Sequence, residues 1–127
     1  VIFLSNIFEK TLLYDFYGEL LTDHQKEIYE RYHLDDLSLG EISEQLKISR
    51  QGVYDTVKRC DKLLENYENK LQLVNKFLSN KEKIDCIAKY AEGALEDLSK
   101  TEQVESENIV GKIVEIRKIC QKILEDL

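Results

Sequence analysis

The sequence predicts an all-α protein: a helix-turn-helix module near the N-terminus, a long heptad-patterned helix leading out of it, and C-terminal helices behind. Three observations carry that prediction. The 127 residues include no Pro, which breaks helix interiors, and only five Gly. Three helix-start signals fall between Thr22 and Ser49. After Val53, apolar residues recur in steps of four and three over more than three heptads.

A first helix is predicted from Ser5 to about Leu21, where Phe8, Leu12, Leu13, Phe16, Tyr17 and Leu20 recur at helical spacing and form an apolar face suited to a core. Thr22-Asp23-His24-Gln25 fits a capping box, in which the hydroxyl and the amide three residues on each satisfy an orphan backbone donor. Ile28, Tyr29 and Tyr32 should then face inward. Leu34-Asp35-Asp36-Leu37 interrupts the periodicity as a loop, and Ser38-Leu39-Gly40-Glu41 opens a short helix with a second box. Lys47-Ile48 leaves room only for a tight turn, with Lys47 where glycine is common in such motifs, and Ser49 caps the next helix.

From there Val53, Val57, Cys60, Leu64, Tyr67, Leu71, Val74 and Leu78 form a continuous seam, which predicts a single helix of about 30 residues. Only its first turns should pack inside the module. The remainder needs later helices or a second copy to cover it, so a homodimer through the helices after Tyr54 is expected. Ser79-Asn80 marks a break, after which Ile84, Ile87, Ala88, Ala91 and Leu95 continue a helix to about Leu98. Residues 99–108 read as an acidic loop or solvated helix start, and Ile109, Ile113, Ile116, Cys120, Ile123 and Leu127 as a final coiled-coil-like helix. The division is residues 1–78 and 79–127.

Hydrophobic residues make up 43% and charged residues 34%, the balance of a globular protein. The apolar start Val1-Ile2-Phe3-Leu4 is too short for a signal peptide, and no run spans a bilayer, so a cytoplasmic location without membrane insertion is expected. Cys60, Cys86 and Cys120 are far apart and odd in number, which suggests buried thiols and neither disulfides nor a metal knuckle. His24 and His33 lack a matching carboxylate spacing and read as exposed or capping residues. Nothing resembles a nucleophile motif or a phosphate-binding glycine loop, so no enzyme, catalytic residue, cofactor or metal is expected. Glu65, Glu68, Lys70 and Lys112, beside the seams, read as solvated charges.

The net charge of −7 opposes nucleic-acid binding by the whole surface, yet between Lys47 and Lys62 five basic residues stand against two acidic ones. That island lies on the second helix of the helix-turn-helix. Arg50, Gln51, Tyr54, Asp55 and Lys58 should face outward there, where such a helix meets base edges in the major groove. Arg pairs with guanine and Gln with adenine, while Lys58, Arg59 and the Tyr54 hydroxyl can hold phosphates, as can Ser49 and the free amides of the helix start. Gly52, inside this helix, implies close approach to the scaffold helix or to a phosphate, and Asp55 would repel phosphate.

The stretches Phe16-Tyr17-Gly18-Glu19-Leu20-Leu21-Thr22-Asp23, Ser38-Leu39-Gly40-Glu41-Ile42 and Ser49-Arg50-Gln51-Gly52-Val53-Tyr54-Asp55, continuing through Lys58-Arg59, resemble the YlxM family of Gram-positive bacteria over roughly residues 7–78. More distantly they are similar to DNA-binding region 4 of bacterial sigma factors. The resemblance implies a DNA-binding fold and a part in the signal recognition particle targeting pathway. DNA and signal recognition particle components are thus the expected partners, with Ser49, Arg50, Gln51, Tyr54, Lys58 and Arg59 as the DNA-binding residues. The alternative is a protein-interaction module of the targeting machinery that binds no DNA.

Overall fold

The computed structural model describes residues 6–100 and 106–125. Its helices are α1 (Asn6–Tyr17), α2 (Asp23–His33), α3 (Leu39–Leu46), α4 (Arg50–Leu71), α5 (Leu73–Lys100) and α6 (Ser106–Glu125), with one 3-10 turn at Gly18–Leu20. No strand occurs among the described residues, and the protein is all-α. The chain divides into two units, Val1–Asn75 and Lys76–Leu127.

The local start signals act as their chemistry requires. Thr22 Oγ1 accepts from the Gln25 amide at 3.2 Å and the Gln25 side chain accepts from the Thr22 amide at 2.9 Å. Ser38 and Glu41 form the same reciprocal pair at the start of α3. Ser49 Oγ accepts from the Gly52 amide at 2.9 Å and so starts α4. Between α3 and α4, Lys47 takes the left-handed conformation, φ 56° and ψ 43°. The Ser43 hydroxyl donates to the Ile48 carbonyl and closes the turn.

The three short-range starts set α2, α3 and α4 against one another. Ile28, Ile42, Val53 and Val57 form a buried cluster, with Tyr32, Leu37, Leu39, Leu46 and Ile48 packed on it. Further along α4, Cys60 and Leu64 are buried as well, alongside Leu13, Tyr17, Leu21 and Tyr29. Helices of the same chain therefore cover the seam from Val53 to Leu64, further than its first turns. The α1 face is narrower than its sequence stripe suggests: Leu13 and Tyr17 are buried, but Phe8, Phe16 and Leu20 are exposed. The predicted start of that helix, Ser5, lies outside the described residues.

The single 30-residue helix is replaced by two. Gln72 adopts φ 57° and ψ 28°, which ends α4 and lets α5 begin at Leu73. Helix α5 then passes through Ser79-Asn80 without the predicted interruption. The break is held by Glu68. Its Oε1 accepts the Tyr17 hydroxyl at 2.5 Å and the Val74 amide at 3.0 Å, and its Oε2 accepts the Asn75 amide at 3.1 Å. The Tyr17 hydroxyl in turn accepts from the Leu73 amide at 3.1 Å. A carboxylate thus sits on the first-turn amides of α5, where the helix dipole favours it. Burial and the bond to Glu68 together raise the Tyr17 pKa. Glu68 is a structural residue and not the solvated charge its position in the sequence suggests.

The thiols divide. Cys60 is buried, as expected, whereas Cys86 and Cys120 are exposed, because α5 and α6 leave those positions uncovered. The final seam residue, Leu127, and residues 101–105 of the predicted acidic loop lie outside the described residues.

Two stability measurements check these assignments. Lys47→Gly removes a left-handed penalty of about 1–2 kcal/mol at an entropic cost of about 0.5–1 kcal/mol, so urea unfolding should show a net gain of roughly 0.5–1 kcal/mol. Glu68→Ala leaves three donors without their acceptor and should lower stability by about 2–3 kcal/mol in the same assay.

Candidate nucleic-acid interface

Helix α4 presents its outer face only because its inner face is gripped. Beyond the apolar row, Asp61 accepts the Tyr29 hydroxyl at 2.9 Å and lies 3.5 Å from Lys10 Nζ. His33 Nε2 stands 3.6 Å from the same carboxylate, buried and outside hydrogen-bond range. Tyr29 stacks on Tyr14 at 5.4 Å between centroids and tilts against His33 at 4.3 Å. Burial pushes the Asp61 carboxyl up, but His33, Tyr29 and Lys10 reverse this and hold it below the ordinary carboxylate value. Burial, with Asp61 next to it, pushes the Cys60 thiol up to about 11, so it stays protonated at neutral pH. The cluster ties α1 and α2 to α4. His33 is therefore neither an exposed nor a capping residue, and its carboxylate partner comes from a different helix.

On the outer face Arg50, Gln51, Tyr54, Asp55, Lys58, Arg59 and Lys62 are all exposed. At about 100° per residue Arg50, Tyr54, Lys58 and Gln51 fall within about a third of a turn, whereas Arg59 lies half a turn from Arg50 on the far flank. The face has its own internal contacts. Gln51 Nε2 donates to Asp55 Oδ1 at 2.8 Å, and Lys58 Nζ lies 5.6 Å from the centre of the Tyr54 ring. Gln51 must leave Asp55 before its amide can pair with a base. The Arg50 guanidinium lies across the start of α3 over Gly40, where a Cβ would stand 3.2 Å from its terminal nitrogen. Gly40 thus leaves room for it.

The side-chain oxygen of Ser49 accepts the Gly52 amide and so builds the helix start, while its hydroxyl proton stays available to a ligand such as a phosphate. One expectation changes, at Gly52. Around Gly52 the near atom is Ser49 Oγ, 3.1 Å from a would-be Cβ, and no scaffold-helix atom lies within 4 Å. Its small size serves its own cap. Sequence reasoning missed the bonding roles of Asp61, Tyr29, His33 and Glu68, because the side chains they meet lie 28 to 51 residues away along the chain. Among the described residues no group of three or more His, Cys, Asp or Glu side chains could hold a metal ion. None of the described helices is long and apolar enough to cross a membrane.

A short scaffold helix, a left-handed turn and a capped second helix with an exposed basic face define a helix-turn-helix protein. A family model described as "UPF0122: Putative helix-turn-helix protein, YlxM / p13 like" matches residues 4–105, and the chain belongs to that family. It is 62% identical over 79 residues to a UPF0122 protein of Thermoanaerobacter sp. (strain X514), covering 62% of this chain and 68% of the relative. UPF0122 protein YlxM of Bacillus subtilis (strain 168) is 46% identical over 94 residues, 74% of this chain and 86% of its own. A UPF0122 protein of Acetivibrio thermocellus is 43% identical over 122 residues, 96% of this chain and 93% of its own.

The Asp61 grip gives a pH signature. Its folded pKa lies below the unfolded value of about 3.9, so the ionised carboxylate contributes its full stability above that pH and loses it as pH falls towards the folded pKa. Asp61→Asn should destabilise the protein by about 1–3 kcal/mol at neutral pH. That difference should shrink below about pH 4, as read from urea midpoints across pH.

Proposed function

We propose that the protein is a DNA-binding regulatory protein that lays the first turns of α4 in the major groove. The distribution of positive charge in the first unit supports this reading. Lys10, Lys26 and Arg31 each meet a carboxylate. Lys47, Arg50, Lys58, Arg59 and Lys62 meet none among the described residues, although the chain is acidic overall. Unpaired cations gathered on the outer face of α4 and at the turn before it are free to neutralise phosphates, which is the main source of affinity for DNA. Arg50 and Gln51 supply base-edge chemistry, and Tyr54, Lys58 and Arg59 supply backbone contacts. A cytoplasmic location belongs to the same reading.

A second reading, docking onto a component of the signal recognition particle pathway, is favoured by the net charge of −7, which opposes DNA everywhere outside that face. The first reading places binding on the basic helix and the second on the acidic helices or the heptad seam, so they are tested together.

Fluorescence anisotropy on duplex DNA should show affinity that falls steeply with salt. Arg50→Ala combined with Lys58→Ala should weaken it by at least about tenfold. Absence of DNA binding at the lowest salt removes the first reading. Purified signal recognition particle is titrated in parallel, and a pull-down that recovers no targeting component removes the second. If the double variant loses only one of the two activities, the basic face belongs to that one.

A further inference from the structure

Among the described residues from Lys76 onward not one is buried, although α5 and α6 both carry apolar residues at heptad spacing. Asp97 pairs with Lys112, whose ammonium would stand 3.1 Å from a Cβ at Gly93. Helix α6 thus turns back to meet α5 near its end, and half-burial along one face of each helix is what an antiparallel hairpin gives. Residues such as Ile87, Ala94, Ile116, Ile119 and Ile123 are half-buried. A second set is left open: Ile84, Leu95 and Leu98 on α5, and Val110, Ile113 and Leu124 on α6, with Leu95 67% and Leu124 68% exposed. At about 100° per residue each set lies roughly a quarter to a third of a turn from the half-buried face, rotated in the same sense along its own helix. Because the helices run in opposite directions, both stripes emerge on one side of the hairpin.

Charge indicates what covers that side. Among the described residues, 91–100 and 106–115, at one end, carry five carboxylates and two lysines. Residues 76–90 and 116–125, at the other end, carry seven cations and three carboxylates. The hairpin is thus acidic at one end and basic at the other, along one apolar face.

We propose that this face binds a second copy of the chain, with the two hairpins antiparallel and the acidic end of each against the basic end of the other. The product is a four-helix bundle with two-fold symmetry, in which each copy buries the stripe it otherwise exposes. A parallel pairing would place five carboxylates against five. The proposal does not depend on DNA binding, and its test uses no DNA.

The test is sedimentation equilibrium of the full chain from about 1 to about 100 µM, at about 50 and about 500 mM salt, which spans weak to strong screening. The expected result is a dimer whose dissociation constant rises at least about threefold at high salt, since attraction between opposite ends is screened. Leu95→Glu combined with Ile113→Glu should give a monomer. As that pair also affects hairpin folding, a surface variant is run beside it. Lys118→Glu with Lys122→Glu leaves the apolar stripes intact and should weaken the dimer at low salt by at least about tenfold and abolish its salt dependence. A wild-type monomer throughout this range overturns the proposal, as does a dimer indifferent to salt and to the charge reversal.

Discussion

When one side of a helix is buried, the opposite side is set at the same time, and in α4 both follow from a four-three spacing. Val53, Val57, Cys60 and Leu64 fall on one line and are drawn under α1, α2 and α3. Each fully buried Val or Leu contributes about 1.5–3 kcal/mol, enough that any rotation of the helix would be costly. The rotation that buries this line turns Gln51, Tyr54, Asp55 and Lys58 outward. The exposed basic face is thus a geometric consequence of the core.

Polar chemistry then fixes what apolar burial leaves adjustable. Two carboxylates on α4 reach into the first unit, and each is surrounded by donors. Asp61 takes Tyr29 and Lys10, joining α2 and α1 to the middle of α4. Glu68 takes Tyr17 and the first amides of α5, joining α1 to its far end. A half-buried carboxylate without such partners would be destabilising, and with them it ties each helix to a set position.

The local parts of this fold were legible in the sequence. Capping boxes at Thr22 and Ser38, the cap at Ser49 and the turn at Lys47 depend on residues within three or four positions of one another, so the pattern contains its own evidence. The break at Gln72 was not legible. Leu71, Val74 and Leu78 keep the heptad phase across it, and the group that stabilises it, Glu68, is completed by a tyrosine 51 residues earlier. The α1 stripe misled for a related reason: helical spacing says which residues share a face, but not how wide a strip the neighbouring helix can cover. Leu13 and Tyr17 fell within that strip, while Phe8 and Phe16 fell at its margins. At the candidate site, exposure of Arg50, Gln51, Tyr54, Lys58 and Arg59 could be read from the seam. The engagement of Gln51 by Asp55 required coordinates.

The joint at Gln72 is complete within one unit. Its stabilising groups, Tyr17, Glu68 and the amides of Leu73 to Asn75, all belong to the first unit. No residue beyond Asn75 supplies a group to that joint. A single glutamate thus marks where the constraints on the joint end.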